Sequence, residues 1–411
     1  MISAARLSLV LALISVSLSA QEKYHIYAGS THAHTAYTWS HGAQFTTNGC
    51  SGIRVYGPDA SHPGVSFWAE GYVKSKNGCF GMYVINGFQY PSPDVTLKPD
   101  WEKYQGPPSR HFELAKANGY DFYVTSDHSQ EGAFQPIGPD NPAWLESKRQ
   151  ARDATTADFA ALPGFEYSEN DGPGGVGHIN VINSREMLNA LQPGIDLPYF
   201  YKWLAAAQPN GEGPVVASFN HPDATQYGNW ADRDAKVTDI ITMLEVINSN
   251  NKIHYPAFVN ALDKGWKVSP VCGNDNHGTD GISRNTSRTF VLATSKSKAA
   301  ILDAMKNRRT YASLDRNIQC RYSVNGAIMG STLNRPTSFH FDISVANAGE
   351  PITKIEILKD GGVVADSYSP APAAAIKWTP TIDDSTSKYF FVRVSGAANP
   401  VAWLAPVWTG R

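Results

Sequence analysis

Residues 24–35 read YHIYAGSTHAHT and join an apolar run to the pair His32-Ala33-His34. The run from Tyr24 to Ala28 is typical of a β-strand, and side chains along an extended chain point alternately to its two faces. Two histidines separated by one residue therefore point to the same side, where both imidazoles can reach one metal ion. Most such pairs are ordinary surface or core residues, so the rest of the chain must decide their role.

Further histidines and carboxylates stand at or beside the ends of other short β-like runs. Barrel enzymes assemble active sites in this way, from residues at the ends of separate strands. Imidazole nitrogens and carboxylate oxygens suit zinc, manganese or iron. These donors exceed what one catalytic ion needs, so they predict two or three divalent ions with Glu166 as a bridging carboxylate. The candidate metal ligands are His32, His34, His128, Glu166, His178, His221, Asp275 and His277.

From residue 110 to residue 312, helical and strand-like runs alternate. Repeated strand–helix units imply parallel strands, and donors clustered at strand ends favour a closed or nearly closed barrel over an open sheet. The sequence thus predicts an α/β fold. The predicted helices are residues 111–117, 144–152, 199–207, 255–264 and 298–306, and the later predicted strands are residues 240–247, 266–272 and 288–292.

Two other stretches break this alternation. Residues 43–107 are rich in glycine, proline and aromatic residues, and we interpret them as an irregular insertion over the mouth of the site. A surface loop with its own aromatic cluster is the alternative. Residues 320–411 contain short alternating runs with turn residues between them, which predicts a small all-β sandwich. We expect the apolar residues 402–408 to pack it on the barrel, with carbohydrate binding as the alternative role.

The chain begins with features of a cleaved secretory signal at residues 1–20, which leaves a barrel domain at residues 21–313 and predicts a secreted or periplasmic protein. A formal net charge of -2 gives no basic footprint for nucleic acid, so a small-molecule partner is favoured. No later run is long enough to span a membrane. Export permits disulfides, and pairing of Cys50 with Cys79 is one option. The oligomeric state stays open.

The ordered motifs H-x-H-T, S-D-H, G-F-E, G-H-I-N, N-H-P and D-N-H resemble the PHP (polymerase and histidinol phosphatase) metallohydrolase superfamily. The resemblance covers about residues 24–312, and the secretion signal with a β-rich tail is similar to the carbaryl-hydrolase-like branch. It implies a distorted (β/α)7 barrel of PHP type with up to three metals. The implied ligands are His32, His34, Glu166 and Asp275 for one ion, Glu166, His178 and His221 for a second, and His128 and His277 for a third.

The third site departs from the family pattern. The family places a further ligand some six residues after the second histidine of the H-x-H pair, where this chain has Ser40, with His41 next. His41 is therefore a candidate ligand that would need a one-residue bulge. Without it the resemblance implies a dinuclear site.

The predicted function is a secreted metal-dependent hydrolase, with phosphoric esters as the favoured substrates and a metal-bridged hydroxide as the nucleophile. The alternatives are a carboxylester, carbamate or amide hydrolase and a non-catalytic metal-bearing binding module. Glu166 and Asp275 are the central catalytic candidates. We expect Asp127 to orient a metal ligand and Glu245 to be the buried partner of a metal-binding histidine. Arg288 is a candidate contact for an anionic substrate, with a structural salt bridge as its alternative.

Overall fold

A computed structural model describes residues 23–38, 100–134, 138, 140–168, 176–190, 192, 194–231, 233–397 and 399–411, and the backbone of strands within residues 45–97. These residues form a mixed α/β protein with a large sheet of 15 strands and a second sheet of five. None of the described helices is long and apolar enough to cross a bilayer.

The region of the predicted insertion contains antiparallel strands. Strands β3 to β6 form a four-stranded sheet and β2 pairs with β7, so the prediction of an irregular segment is wrong for these residues. Gly81 and Pro91 lie within paired strands, which shows that cross-strand pairing overrides their local preference for turns. The position of this segment over the site and the Cys50–Cys79 pairing lie outside the described residues. The strands so far are β1 (His25–Ser30), β2 (Phe45–Thr46), β3 (Ile53–Tyr56), β4 (Trp68–Ser75), β5 (Gly78–Ile85), β6 (Phe88–Ser92) and β7 (Thr96–Leu97).

Helices and strands then alternate as the sequence predicts, with ends that differ by a few residues. Helices α2, α3 and α8 are preceded by the N-cap residues Asn141, Asp196 and Ser297, whose side chains accept a hydrogen bond from a backbone N–H of the first turn. The elements are α1 (Pro108–Ala117), β8 (Phe122–His128), α2 (Pro142–Ala154), β9 (Ala160–Ser168), β10 (His178–Ile182), α3 (Leu197–Ala206), β11 (Val216–Asn220), α4 (Gln226–Trp230), α5 (Ala235–Ile240), β12 (Ile241–Asn248), β13 (Lys252–Ile253), α6 (Tyr255–Asp263), β14 (Ser269–Cys272), α7 (Asp280–Arg284), β15 (Arg288–Ala293), α8 (Lys298–Lys306) and β16 (Thr310–Ser313).

The large sheet is mixed, which corrects the expectation of parallel strands. Strands β1, β8 and β9 are parallel neighbours, whereas β10 runs antiparallel to β9 and to β11. Only nine residues, 169–177, separate β9 from β10, and parallel strands need a longer crossover than this, so the pair is antiparallel. Strand β1 is also antiparallel to β15.

Strand β14 brings the two ends of this series together. It pairs with β12, and the Thr289 hydroxyl on β15 accepts a hydrogen bond from the Cys272 N–H (2.7 Å) and donates one to the Cys272 carbonyl (2.9 Å). Side-chain contacts thus join β14 to β15 beside β1. The seven-stranded (β/α)7 barrel itself stays a prediction.

The carboxyl-terminal strands belong to both sheets. Strand β25 pairs with β16, with Leu404 opposite Tyr311, so β25, β24, β20 and β21 extend the large sheet. Trp403 joins the buried cluster around β9 to β12, which agrees with the expected packing of residues 402–408. Strand β26 also joins the large sheet by pairing with β24, and β17, β18, β19, β22 and β23 form the second sheet. The strands are β17 (Ile318–Val324), β18 (Ala327–Ile328), β19 (Ser338–Asn347), β20 (Lys354–Lys359), β21 (Val363–Tyr368), β22 (Ala375–Trp378), β23 (Thr381–Asp383), β24 (Tyr389–Ser395), β25 (Pro400–Leu404) and β26 (Val407–Trp408).

Candidate metal centre

The large sheet brings all eight predicted donors that lie in the described residues to one edge. His128 and Glu166 are cross-strand partners at the ends of β8 and β9, and His178 lies opposite Asn220, which ends β11. Because β10 is antiparallel to its neighbours, its first residue lies where β9 and β11 end. The remaining donors follow β1, β11 and β14. The predicted ligand His41 lies outside the described residues.

Glu166 is the centre of this cluster. Its side chain is 1% exposed, and its two oxygens lie 3.0–3.7 Å from one imidazole nitrogen of each of five histidines, namely His32, His34, His128, His178 and His221. Asn220 Nδ2 donates to Oε1 (2.9 Å) and the Ser168 hydroxyl donates to Oε2 (3.1 Å). These two donors fix the orientation of the carboxylate that we predicted to bridge two ions.

Asp275 contributes the second carboxylate. Its Oδ1 lies 2.9 Å from His34 Nε2, 3.5 Å from His32 Nε2 and 3.4 Å from His277 Nε2. The Asp275 backbone is in the left-handed region, with φ at 49°, and that of His221 has φ at 31°. Such backbone conformations are costly for residues other than glycine and are concentrated at functional sites.

Among the described residues, donor atoms form three groups, in each of which they lie within 4.8 Å of one another. One group matches the implied set of Glu166, His178 and His221, a second contains three of its four implied ligands and lacks Asp275, and the third adds His34 to His128 and His277. One imidazole nitrogen carries a single lone pair, and His34 Nδ1 faces the Thr38 hydroxyl at 3.2 Å, so His34 can serve only one ion. The groups are His32, His34 and Glu166; Glu166, His178 and His221; and His34, His128 and His277.

The second ring nitrogens of two histidines contact buried carboxylates. His32 Nδ1 lies 2.8 Å from Glu245 Oε1, and His128 Nδ1 lies 3.1 Å from Glu131 Oε1. Metal-binding histidines commonly have such partners, which fix the ring and the tautomer. This arrangement and the convergence of the donors fit a metal centre. Glu245 was predicted from its place in an apolar run. Glu131 was missed, although its position three residues after His128 is a usable signal.

Glu245 is held in place from several sides. Its Oε2 accepts hydrogen bonds from the His221 N–H and from Asn248 Nδ2, both at 2.8 Å. A Cβ atom on Gly273 would lie 1.7 Å from Glu245 Oε1 and 2.8 Å from His32 Cβ. Glycine at this position is therefore required by the contact between Glu245 and His32.

Asp127 stabilises the turn that follows His34. Its Oδ1 accepts from the N–H groups of Thr35 (2.6 Å) and Thr38 (3.1 Å) and from the Thr38 hydroxyl (2.8 Å), while Oδ2 accepts from the Thr35 hydroxyl (2.8 Å). Burial raises the pKa of Asp127, and these hydrogen bonds oppose the rise. Asp127 thus acts on His34 through the Thr38 hydroxyl.

The carboxylates at the centre stay ionised. Burial raises the pKa of Glu166, but His32, His178 and the contact with His128 outweigh it and hold that pKa well below the usual value. Burial also raises the pKa of Asp275, and the neighbouring histidines lower it well below its usual value in the same way. Two negative charges, the buried Glu166 and the partly buried Asp275, therefore face the imidazoles, which is the charge pattern that divalent cations neutralise.

Protons are shared unequally among the imidazoles. Burial, with His277 and His128, lowers the pKa of His34 well below its usual value. Burial also disfavours protonation of His32, yet Glu166 and Glu245 raise the pKa of His32 well above it. Burial is likewise outweighed at His128, where Glu131 and Glu166 raise the pKa to about 10. Because metal ions bind neutral imidazole, loading of this site releases protons.

A cavity of about 490 Å³ opens on the cluster, a volume suited to a small molecule. Its other walls are Asp223, Asn248, Ser249 and Lys252. Arg288 is not among the lining residues. Its guanidinium carbon lies 3.6 Å from the ring centre of Tyr120, and Nη1 donates to the carbonyls of Asn285 and Ser287, so contact with a substrate stays a prediction.

The fold and the donor cluster together support the class of metal-dependent hydrolases. No protein-family model and no curated protein matches the sequence. A similar solved structure is a two-domain protein from Bacteroides vulgatus ATCC 8482, described as containing a predicted PHP-like metal-dependent phosphoesterase. It is 14% identical, with 94% of this chain and 96% of that chain covered at a TM-score of 0.45.

Another similar structure is the lesion-specific endonuclease PfuEndoQ from Pyrococcus furiosus. It is 12% identical, with 69% of this chain and 56% of that chain covered at a TM-score of 0.29. The PHP resemblance rests on the ordered motifs of the sequence, and the carbaryl-hydrolase-like branch stays a prediction. At these TM-scores neither likeness says what this chain binds or cleaves, and the exclusion of nucleic acid also stays a prediction.

Proposed function

We propose that this protein is a metal-dependent hydrolase of phosphoric esters. The observation that carries the proposal is the convergence of Glu166, Asp275 and six imidazoles in one cluster, beside a cavity of small-molecule size. Several cations held side by side suit the dense negative charge of a phosphoester. A carboxylester, carbamate or amide substrate is the alternative, because the same cations also polarise a carbonyl group.

Two ions would be held by the groups that share Glu166, and a third by the group around His128 and His277. Bound divalent ions would supply an activated water and neutralise charge on the substrate oxygens. The chain's own residues keep the donors in place. Glu245 and Glu131 orient the rings of His32 and His128, and Asn220 and Ser168 orient the shared carboxylate.

The test combines metal content with turnover. The purified protein is loaded with zinc, manganese or iron, its metal is counted by elemental analysis, and hydrolysis of nitrophenyl phosphate, bis-nitrophenyl phosphate and nitrophenyl acetate is followed before and after chelation. We expect two or three ions per chain and chelator-sensitive cleavage of a phosphoester. Cleavage of acetate alone would favour the alternative substrate class. Metal binding without turnover on any substrate would favour a non-catalytic binding module.

We also propose that the site lies in a distorted (β/α)7 barrel and that the protein is exported after cleavage near residue 20. Support for export comes from the apolar residues 7–18 that follow Arg6. Amino-terminal sequencing of the protein recovered outside the cytoplasm tests the cleavage. Recovery only in the cytoplasm with an intact first segment would contradict export.

A further inference from the structure

Lys252 is a cation on the wall of the cavity that the metal centre does not use. Of the described residues that line this cavity, Lys252 is the one lysine or arginine. Its side chain is exposed and forms no ion pair with any residue that the structure describes. An ammonium group without a carboxylate partner in the described part of the chain, beside a proposed catalytic centre, is available to a ligand.

The backbone fixes where Lys252 lies. Strand β13 folds back on β12, with Lys252 opposite Asn248 and Ile253 opposite Ile247. Directly opposed residues of an antiparallel pair point to the same face, so Lys252 shares a face with Asn248. The Asn248 amide donates to Glu245, which contacts His32. Lys252 is therefore held on the side of the hairpin that faces the metal centre.

His254, two residues after Lys252, anchors this hairpin to the loop that follows His221. The His254 N–H donates to the Val246 carbonyl (2.8 Å), and His254 Nδ1 donates to the carbonyl of Pro222 (2.9 Å), which follows His221. His254 is 4% exposed. Lys252 thus lies between two anchored positions, Asn248 and His254, and its Cα is fixed relative to the donors.

We propose that Lys252 is a specificity-determining residue that binds a second anionic group of the substrate, so that the preferred substrates are phosphoesters whose leaving group carries a carboxylate or another phosphate. This inference rests on the proposed function and deepens it. The metal ions would occupy the side of the cavity lined by Glu166 and Asp275, which leaves the ammonium for a group at the other end of the ligand.

The test uses two non-hydrolysable ligands that differ by one charge, phenylphosphonate and 4-carboxyphenylphosphonate. Calorimetry measures their dissociation constants with the metal-loaded full-length protein and its variants, independently of turnover. We expect the wild type to bind the carboxylated ligand more tightly, and Lys252→Ala to lose about tenfold in affinity for that ligand while its affinity for phenylphosphonate changes little. Lys252→Arg should retain the preference because it retains the charge.

Two control variants separate this role from a general effect. Asp223→Asn changes a charge on the same cavity wall and should keep the preference, and Lys236→Ala removes an exposed cation on α5 and should alter neither ligand. Equal losses for both ligands in Lys252→Ala, or no preference in the wild type, would overturn the proposal. A preference that depends on Lys252 in a protein without turnover would retain this inference and refute the hydrolase.

Discussion

The contact between His32 and Glu245 shows how a residue that binds no metal can control a metal site. The His32 ring points one nitrogen at Glu166 and the other at Glu245, and both side chains of the second contact are fully buried. The carboxylate fixes which nitrogen carries the proton, so the nitrogen that faces the cluster keeps its lone pair for an ion.

Replacement of Glu245 by glutamine should weaken metal binding without removing a ligand. Glutamine keeps the shape of the side chain but removes the charge that favours a protonated Nδ1. We expect a loss of about 10–100-fold in metal affinity. Competition with a chromophoric chelator measures it, and Glu113→Gln, which changes an exposed carboxylate on α1, is the control. Unchanged affinity in Glu245→Gln would show that His32 needs no such partner.

Gly273 permits the same contact by having no side chain. In Gly273→Ala the new Cβ would overlap Glu245 Oε1, so Glu245 and His32 would have to move apart. We expect a loss of about 1–3 kcal/mol in the free energy of unfolding together with weaker metal binding. Gly138→Ala is the matched control, because a Cβ at Gly138 meets nothing within 4 Å. Chemical denaturation of both variants measures the difference, and equal stability would contradict the steric argument.

The buried His111 makes the stability of the folded protein depend on pH. Its Nε2 contacts Gln105 Oε1, and Gln105 Nε2 donates to the His34 carbonyl (3.2 Å). Burial, with a smaller effect of Arg110, lowers the pKa of His111 to about 3. In the unfolded chain a histidine takes up a proton near pH 6.5, so the folded state loses stability as the pH falls from about 6.5 towards 3.

The expected contribution is about 2 kcal/mol of unfolding free energy lost between pH 7 and pH 5. Other groups titrate in this range, so the measurement is a difference. Urea denaturation of wild type and His111→Gln at both pH values should show a smaller loss in the variant by about that amount. Parallel losses in the two proteins would mean that His111 is protonated in the folded state.

Among the secondary-structure elements, the sequence predicted the positions of helices better than the directions of strands. Helices α1, α2, α3, α6 and α8 lie at the predicted positions because amphipathic runs and capping residues are local signals. The direction of β15 depends on its meeting the distant strand β1, and no local pattern records that. The direction of β10 follows from its short connection to β9, which the expectation of repeated strand–helix units overlooked. The donors were still found, because the beginning of an antiparallel strand lies at the same edge as the end of its neighbour.

The insertion and the third donor group show the limits of local patterns. Gly81 and Pro91 suggested an irregular chain, but backbone pairing between β5 and β6 includes both positions. The role of His34 in two donor groups depends on the meeting of loops after β1, β8 and β14. The resemblance implied His34 for one set only, and spacing within the sequence carries no information on distances between separate loops.

Strand β25 is the element that ties the carboxyl-terminal strands to the site-bearing ones. Leu404 is fully buried opposite Tyr311 of β16. Its replacement by alanine should cost about 2–5 kcal/mol of unfolding free energy. Val364→Ala on the exposed strand β21 should stay within about 0.5 kcal/mol. Thermal and chemical denaturation compare the two variants, and a small cost for Leu404→Ala would mean that the two regions are weakly coupled.

In the molecule as a whole, the metal centre connects segments far apart in the chain. Its donors follow or begin β1, β8, β9, β10, β11 and β14, so they extend from His32 to His277. Ions that bind these donors bind only the folded state, because the unfolded chain separates them. The free energy of metal binding therefore adds to the stability of the fold.

Removal of the metal should lower the melting temperature as well as the activity. An ion present at 1,000 times its dissociation constant adds about 4 kcal/mol of stability, so two or more ions should shift the melting temperature by on the order of 10 °C. Calorimetry with and without chelator measures the shift, and added zinc or manganese should reverse it.

In Glu166→Gln the shared carboxylate is lost, so the shift should shrink by more than half, because both groups that contain Glu166 are weakened together. The exposed variant Glu113→Gln should keep the full shift. Equal melting temperatures with and without chelator in a metal-loaded wild type would mean that the donors are not linked through bound ions, and the proposed centre would then be wrong independently of any substrate.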